Sequence, residues 1–140
     1  MASGYPDFEG GKRRVFGTGD WAADVGVDKS FYGGAGALPA HSESHVDYLV
    51  TPGKTLYLSN ASFGSFAELP ADSELNQICA LEMQDLTMVT NIWFQGGNGG
   101  GAVVFTTPLV IPGGHQIRIL VYNLSNHSSD AFFSVDGWEV

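Results

Sequence analysis

The sequence predicts an all-β protein: a β-sandwich, or jelly roll, over residues 44–140, preceded by an extended N-terminal arm over residues 1–43. Three observations point there. Short runs rich in β-branched and aromatic residues recur from His45 onward, with Pro, Gly, Asn and Asp between them. Helical periodicity is almost absent. The nineteen glycines cluster, nine of them before residue 37 and five between Gly96 and Gly101.

The arm holds four of the six basic residues and two prolines, and shows no sustained period of 2 or 3.6. Six aromatics punctuate it, Tyr5, Phe8, Phe16, Trp21, Phe31 and Tyr32. A disordered tail seldom carries so many, so the stretch is expected to dock. Fully extended, it reaches roughly 140 Å at ~3.3 Å per residue. It either fastens to a neighbouring molecule or adds one or two strands to its own domain. Lys12-Arg13-Arg14, followed by Val15-Phe16, suits an acidic docking surface.

His45–Val50 is the first core strand, and Pro52-Gly53 fits the centre of a type II turn. Thr55–Asn60 follows, which suggests a hairpin. Residues 68–76 look like a loop, and a turn of helix is allowed only near Ser65–Leu69 or Asp72–Gln77. Ile78–Met83 and Thr87–Phe94 are the next strands, with Met88, Thr90, Ile92 and Phe94 on one face of the second. The glycine run from Gly96 reads as a flexible or tightly turned connection. Ala102–Phe105 and Leu109–Ile111 flank Pro108, which suits an edge or a bend. Pro112-Gly113 repeats the turn signal ahead of Gln116–Tyr122, again suggesting a hairpin. Asn123–Asp130 is a polar turn region, and Phe132–Val140 closes the chain. The expected core is Val46, Tyr48, Leu56, Leu58, Ile78, Leu81, Ile92, Phe94, Val104, Ile117, Ile119, Val121, Phe132 and Trp138.

Composition narrows function. Six Lys+Arg against fifteen Asp+Glu give a net charge of −9, which argues against a nucleic-acid partner. No apolar run approaches the ~20 residues of a membrane helix, so no membrane partner is expected. Cys79 is the single cysteine, so an internal disulfide is impossible. Met1–Asp7 lack a basic and then apolar leader, so a reducing compartment is expected. The Asn-x-Ser sequons at Asn60, Asn123 and Asn126 are then expected to be turn chemistry.

Catalytic patterns are weak, and the chain is not expected to be an enzyme or to hold a cofactor or metal. His41 and His45 lie about 13 Å apart on an extended strand at ~3.3 Å per residue, too far for one metal at ~2.1 Å bonds. The paired histidines of a small cupin-like enzyme are missing. The glycine run lacks the Gly-Lys-Ser/Thr ending of a phosphate loop. No Gly-x-Ser-x-Gly elbow surrounds Ser65. Cys79 lies in an apolar strand and is expected to be a buried, inert thiol. The acidic neighbours Asp72/Glu74 and Glu82/Asp85 are expected to be solvated.

The arm, Thr51-Pro52-Gly53-Lys54-Thr55-Leu56-Tyr57, the Gly96–Gly101 run and Pro108-Leu109-Val110-Ile111-Pro112-Gly113-Gly114-His115 together resemble jelly-roll cement (decoration) proteins of tailed-bacteriophage heads. The resemblance covers residues 44–140 as architecture and residues 1–43 as an arm. It implies a structural virion protein, made in the host cytoplasm, that binds the outer capsid surface. Its partners would be the major capsid protein and further copies of itself, as a homodimer or homotrimer. Contact would come from arm residues Lys12, Arg13, Arg14, Val15, Phe16 and Trp21 and from loop residues Gly96, Gly97, Asn98 and Gly99. The alternative is a carbohydrate- or receptor-binding virion module, using Trp93, Trp138 and Tyr122 as sugar platforms.

Overall fold

The computed structural model describes residues 27–67, 69 and 75–140. The chain is all-β, with eight strands and no helix among the described residues. These are β1 (Val27–Leu38), β2 (Glu43–Leu49), β3 (Thr55–Ala67), β4 (Ile78–Asp85), β5 (Thr90–Asn98), β6 (Gly100–Pro112), β7 (Gln116–Asn123) and β8 (Ser129–Glu139). They form two four-stranded antiparallel sheets, β1-β8-β3-β6 (sheet A) and β2-β7-β4-β5 (sheet B). Every connection crosses between the sheets except the β4–β5 hairpin, which is the winding of a jelly roll.

Strand β1 lies inside the stretch read as arm. Val27–Leu38 pairs along β8 from Val27↔Glu139 to Leu38↔Ser129, so the sandwich includes this strand. Of the two readings of the arm, this part takes the added strand. Two further expectations fail. The segments around Pro52-Gly53 and Pro112-Gly113 are not hairpins, because β2 and β3, like β6 and β7, belong to different sheets. The turn chemistry holds at Pro52-Gly53, where Gly53 has φ +82° and Lys54 N–H donates to Thr51 O, but the second turn is shifted by one residue: His115 N–H donates to Pro112 O, so Gly113-Gly114 are central and Gly114 takes the φ of +82°. The two turns also pack together: Val50 N–H donates to His115 O at 2.9 Å and Gly114 N–H to Val50 O at 2.8 Å. A Cβ on Gly113 would come within 2.4 Å of Lys54 O. Ser65–Ala67, allowed as a helical turn, extends β3.

The core lies between the sheets. Leu56, Leu58, Ala61 and Phe63 of β3 and Ala131, Phe133 and Val135 of β8 face Cys79, Leu81 and Met83 of β4 and Ile117, Ile119 and Val121 of β7. Four expected core residues are instead exposed, Ile78, Phe94, Val104 and Phe132. Their neighbours Cys79, Trp93, Val103, Phe105 and Phe133 point inward. Adjacent apolar pairs leave the face of a strand undecided, and one residue of slip exchanges the two sets. Trp93 and Phe105 meet edge-on at 5.5 Å, closing the core beneath β5 and β6.

Two polar pins hold the ends. Glu139 accepts from Tyr48 Oη at 2.8 Å, Thr51 Oγ1 at 2.7 Å and Thr51 N–H at 3.2 Å, tying sheet A to sheet B. Burial works to raise its pKa, but the bonds from Thr51 and Tyr48 outweigh it and the carboxylate titrates below its ordinary range. The fully buried Asn123 donates through Nδ2 to the carbonyls of Leu38, Pro39 and His127, and accepts from Ser125 N–H. This sequon asparagine is turn chemistry, as expected. Pro108 sits where β6 leaves β3, between the pairs Leu58↔Leu109 and Asn60↔Val104, in keeping with an edge or bend.

Candidate interaction surface

The outer face of sheet A is small-residued, and it carries exposed aromatics. In register, Gly34, Phe132, Gly64 and Gly100 form one row across β1, β8, β3 and β6. Tyr32, Ser134, Ser62 and Ala102 form the next. The Phe132 ring lies over Gly34, where a Cβ would come within 2.9 Å of its Cδ1. On the other side, Gly64 floors a shallow hollow of ≈ 280 Å³ walled by Phe66 and Phe132. Phe66 is 65% exposed and Tyr32 75%. Glycine and serine beside a large ring remove the neighbours that would cover it, so the rings stand in water on a rigid floor. Beyond them the face turns polar: Ser30 Oγ donates to Asp136, in a row with Asn60.

The outer face of sheet B differs, because its charges are spent on one another. Arg118 grips Asp47 with two bonds, 2.7 and 2.9 Å. That contact chiefly lowers the pKa of Asp47 and raises that of Arg118. Glu82 accepts from Tyr122 Oη at 2.7 Å and from Gln84 Nε2 at 3.1 Å. Burial, then the bond to Glu82, pushes the Tyr122 hydroxyl up to about 12. His45 bonds Glu43 at 3.1 Å.

Asp85 and His115 meet at 2.7 Å. Asp85 Oδ1 also accepts from the N–H groups of Thr87 and Met88, each at 3.0 Å. Burial opposes ionisation, but His115 and these N–H groups hold the Asp85 pKa below its ordinary value. The pair clamps the β4–β5 turn to the Pro112-Gly113 turn. The expectation that Glu82 and Asp85 are solvated is therefore wrong: both are buried and bonded. Asp72 and Glu74 lie outside the described residues. Cys79 is fully buried, and burial raises its thiol pKa. His41 and His45 do not share a partner, since His41 Nε2 bonds Asn126 Oδ1 at 2.9 Å.

Lys12, Arg13, Arg14, Val15, Phe16 and Trp21 lie outside the described residues. Gly96, Gly97 and Asn98 end β5, and Gly99 alone separates them from β6. Gly99 N–H donates to Gln77 O at 2.7 Å and its carbonyl accepts from Ser65 N–H at 3.2 Å. A Cβ on Gly100, at φ +139°, would reach 2.3 Å from Phe63 O. Of the two readings of this run, it is the tight turn, a sheet-to-sheet crossover. The proposed sugar platforms are also placed differently. Trp93 packs inward, Trp138 is buried and stacked on Tyr57 at 5.4 Å, and Tyr122 is tied to Glu82. Among the described residues the exposed rings are Tyr32, Phe66 and Phe132 on the outer face of sheet A, and Phe94 on β5. The signal that could have found them is small residues: Gly34, Gly64, Ser62 and Ser134 on neighbouring strands.

Together these features define an all-β jelly-roll domain with an exposed aromatic face. No known protein family's profile matches the chain, and no curated protein matches it. Among solved structures it is similar, at 12% identity and a TM-score of 0.32, to the Drosophila NLP core, over 81% of this chain and 97% of that one. The description of that crystal structure concerns pentamer formation and histone binding. So remote a likeness decides nothing here.

Proposed function

We propose that this chain is a structural virion protein that binds the outer surface of a phage capsid and cements neighbouring major capsid protein subunits. The observation that carries the reading is the outer face of sheet A. Phe66, Phe132 and Tyr32 stand exposed around a glycine floor. Exposed apolar clusters of this kind mark contact with another macromolecule. A shell offers a broad, repeated surface to such a face. Within the arm, Lys12, Arg13 and Arg14 add a basic cluster to an otherwise acidic chain. Free strand edges can add to neighbouring sheets by main-chain hydrogen bonds. Many copies, each holding several subunits, gain by avidity. No residue in this account is catalytic.

A second reading, a glycan- or receptor-binding surface, is favoured by one observation. Ser62, Ser134 and Asn60 lie beside the rings and could bond sugar hydroxyls. One experiment separates the two. The protein is mixed with undecorated shells assembled from the major capsid protein of the same genome, pelleted, and in parallel applied to a glycan array. Saturable, stoichiometric co-sedimentation that Phe66→Ser weakens supports the cement reading. Glycan binding without co-sedimentation replaces it with the second.

A further inference from the structure

The sheet edges divide by charge. From Leu86 to Ile117 the chain carries no Asp, Glu, Lys or Arg. That stretch contains all of β5 and β6, the edge strands on one flank of the sandwich. The other flank, β1 and β2, carries Asp28, Lys29, Glu43 and Asp47. Proteins blunt open edges with charge, because unpaired N–H and C=O groups recruit other strands. Here one flank is guarded and the other is not. Among the described residues, no strand pairs with the outer edge of β5 or β6. Val104 on β6 is 81% exposed and Phe94 on β5 is 56% exposed.

We infer that the β5–β6 flank is the interface between two copies of this chain, joined edge to edge about a two-fold axis. The choice of occupant rests on charge. Two copies of a −9 chain repel over most of their surfaces, and this flank is where they can approach with no like charges in contact. A basic or acidic partner would be met by complementary charge, which the flank lacks. An axis normal to the sheets sets β6 antiparallel to β6 and β5 to β5, so both sheets continue through the dimer. The stretch Gly100–Thr107 carries the β6 pairing, since Pro108 has no N–H to give.

Size sets the affinity class. Strands of 9 and 13 residues run roughly 30 and 43 Å at ~3.3 Å per residue, with sheets ~10 Å apart. The flank is therefore smaller than the ~800 Å² per partner of a standard interface. The dimer is expected to be reversible in the micromolar range. The inference stands on charge and topology and needs no shell.

Sedimentation equilibrium of the full chain from about 1 to 100 µM tests it. The wild type should pass from monomer to dimer, and Val104→Asp should shift the midpoint at least tenfold to higher concentration. Leu49→Asp, on the guarded flank, where Leu49 is exposed at the end of β2, should leave it unchanged. Circular dichroism and melting checks that Val104→Asp is folded; Val104→Lys tests the same contact with the opposite sign. A wild type monomeric at 100 µM overturns the inference. So does an oligomer that both Val104 variants leave intact, or one that Leu49→Asp disrupts instead. Shell binding, measured separately, is untouched by any of these outcomes.

Discussion

Replacing Asn123 with Ala removes a side chain that joins the β1–β2 turn to the β7–β8 turn. Its carboxamide nitrogen donates at 2.9 Å to Leu38 O, 3.2 Å to Pro39 O and 2.8 Å to His127 O, and its oxygen accepts from Ser125 N–H at 2.9 Å. The side chain is fully buried and Ser125 nearly so, so water cannot replace all four partners. Three hydrogen bonds' worth of donors and acceptors at about 1 kcal/mol each, plus about 1 kcal/mol for a group left buried and unmet, give about 4 kcal/mol. For a domain of this size that lowers the melting temperature by about 12–20 °C. Asn123→Asp sharpens the test, since it keeps the shape but turns a donor into an acceptor facing three carbonyls. At pH 7 it should cost at least as much as Ala. Its deficit should shrink as pH falls, because the introduced carboxyl, once protonated, can donate again. Thermal melts by circular dichroism at pH 7 and pH 4.5 read both variants. If each costs less than about 1 kcal/mol, the two turns are not held by this carboxamide and the reasoning is wrong.

Three further outcomes are expected. Asp47, Asp85 and Glu139 titrate below their ordinary values, so their stabilisation is complete above the unfolded-state pKa of about 4 and is lost as pH falls through the lower folded values. Melting temperature should be flat from pH 5 to 7 and drop below pH 4, and Glu139→Gln should be less stable at pH 7 and show a shallower drop. Gly100→Ala places a Cβ within 2.3 Å of Phe63 O and should prevent soluble expression, whereas Gly99→Ala, at φ +81° in open space, should cost only about 1–2 kcal/mol by chemical denaturation. Reversing Lys12, Arg13 and Arg14 to Glu should weaken shell binding at least tenfold in a pelleting assay and leave the melting temperature unchanged; a lower melting temperature would instead mean that these residues serve their own domain.

The class of fold was legible because its signals are local. Pro52-Gly53 and Pro112-Gly113 announce turns from their own dihedral preferences. The path of the chain beyond a turn is not local, and neither dipeptide says that the next strand joins the opposite sheet. The facing of β6 was illegible for a related reason. Val103-Val104-Phe105 fits either parity, and the break at Pro108 resets the alternation. Strand β1 was hidden because Gly33, Gly34 and Gly36 interrupt its period of two, and the reason for Gly34 is a ring on another strand, Phe132. The candidate surface was read least well. Phe132 looked like core by hydrophobicity, and only the strand register shows that its neighbours are glycines. The acidic pair Glu82 and Asp85 looked solvated because their partners, Tyr122 and His115, lie thirty or more residues away in sequence.

Whether this protein reinforces a capsid is read on the shell itself. Undecorated, DNA-filled heads of the same genome are titrated with the purified chain, and the temperature at which DNA becomes accessible to an intercalating dye is recorded. Reinforcement shifts that temperature upward, saturating at a fixed ratio of chain to capsid subunit, and Phe66→Ser reduces the shift. Heads that open at the same temperature with and without the protein, at concentrations where it is folded and in excess, would contradict reinforcement.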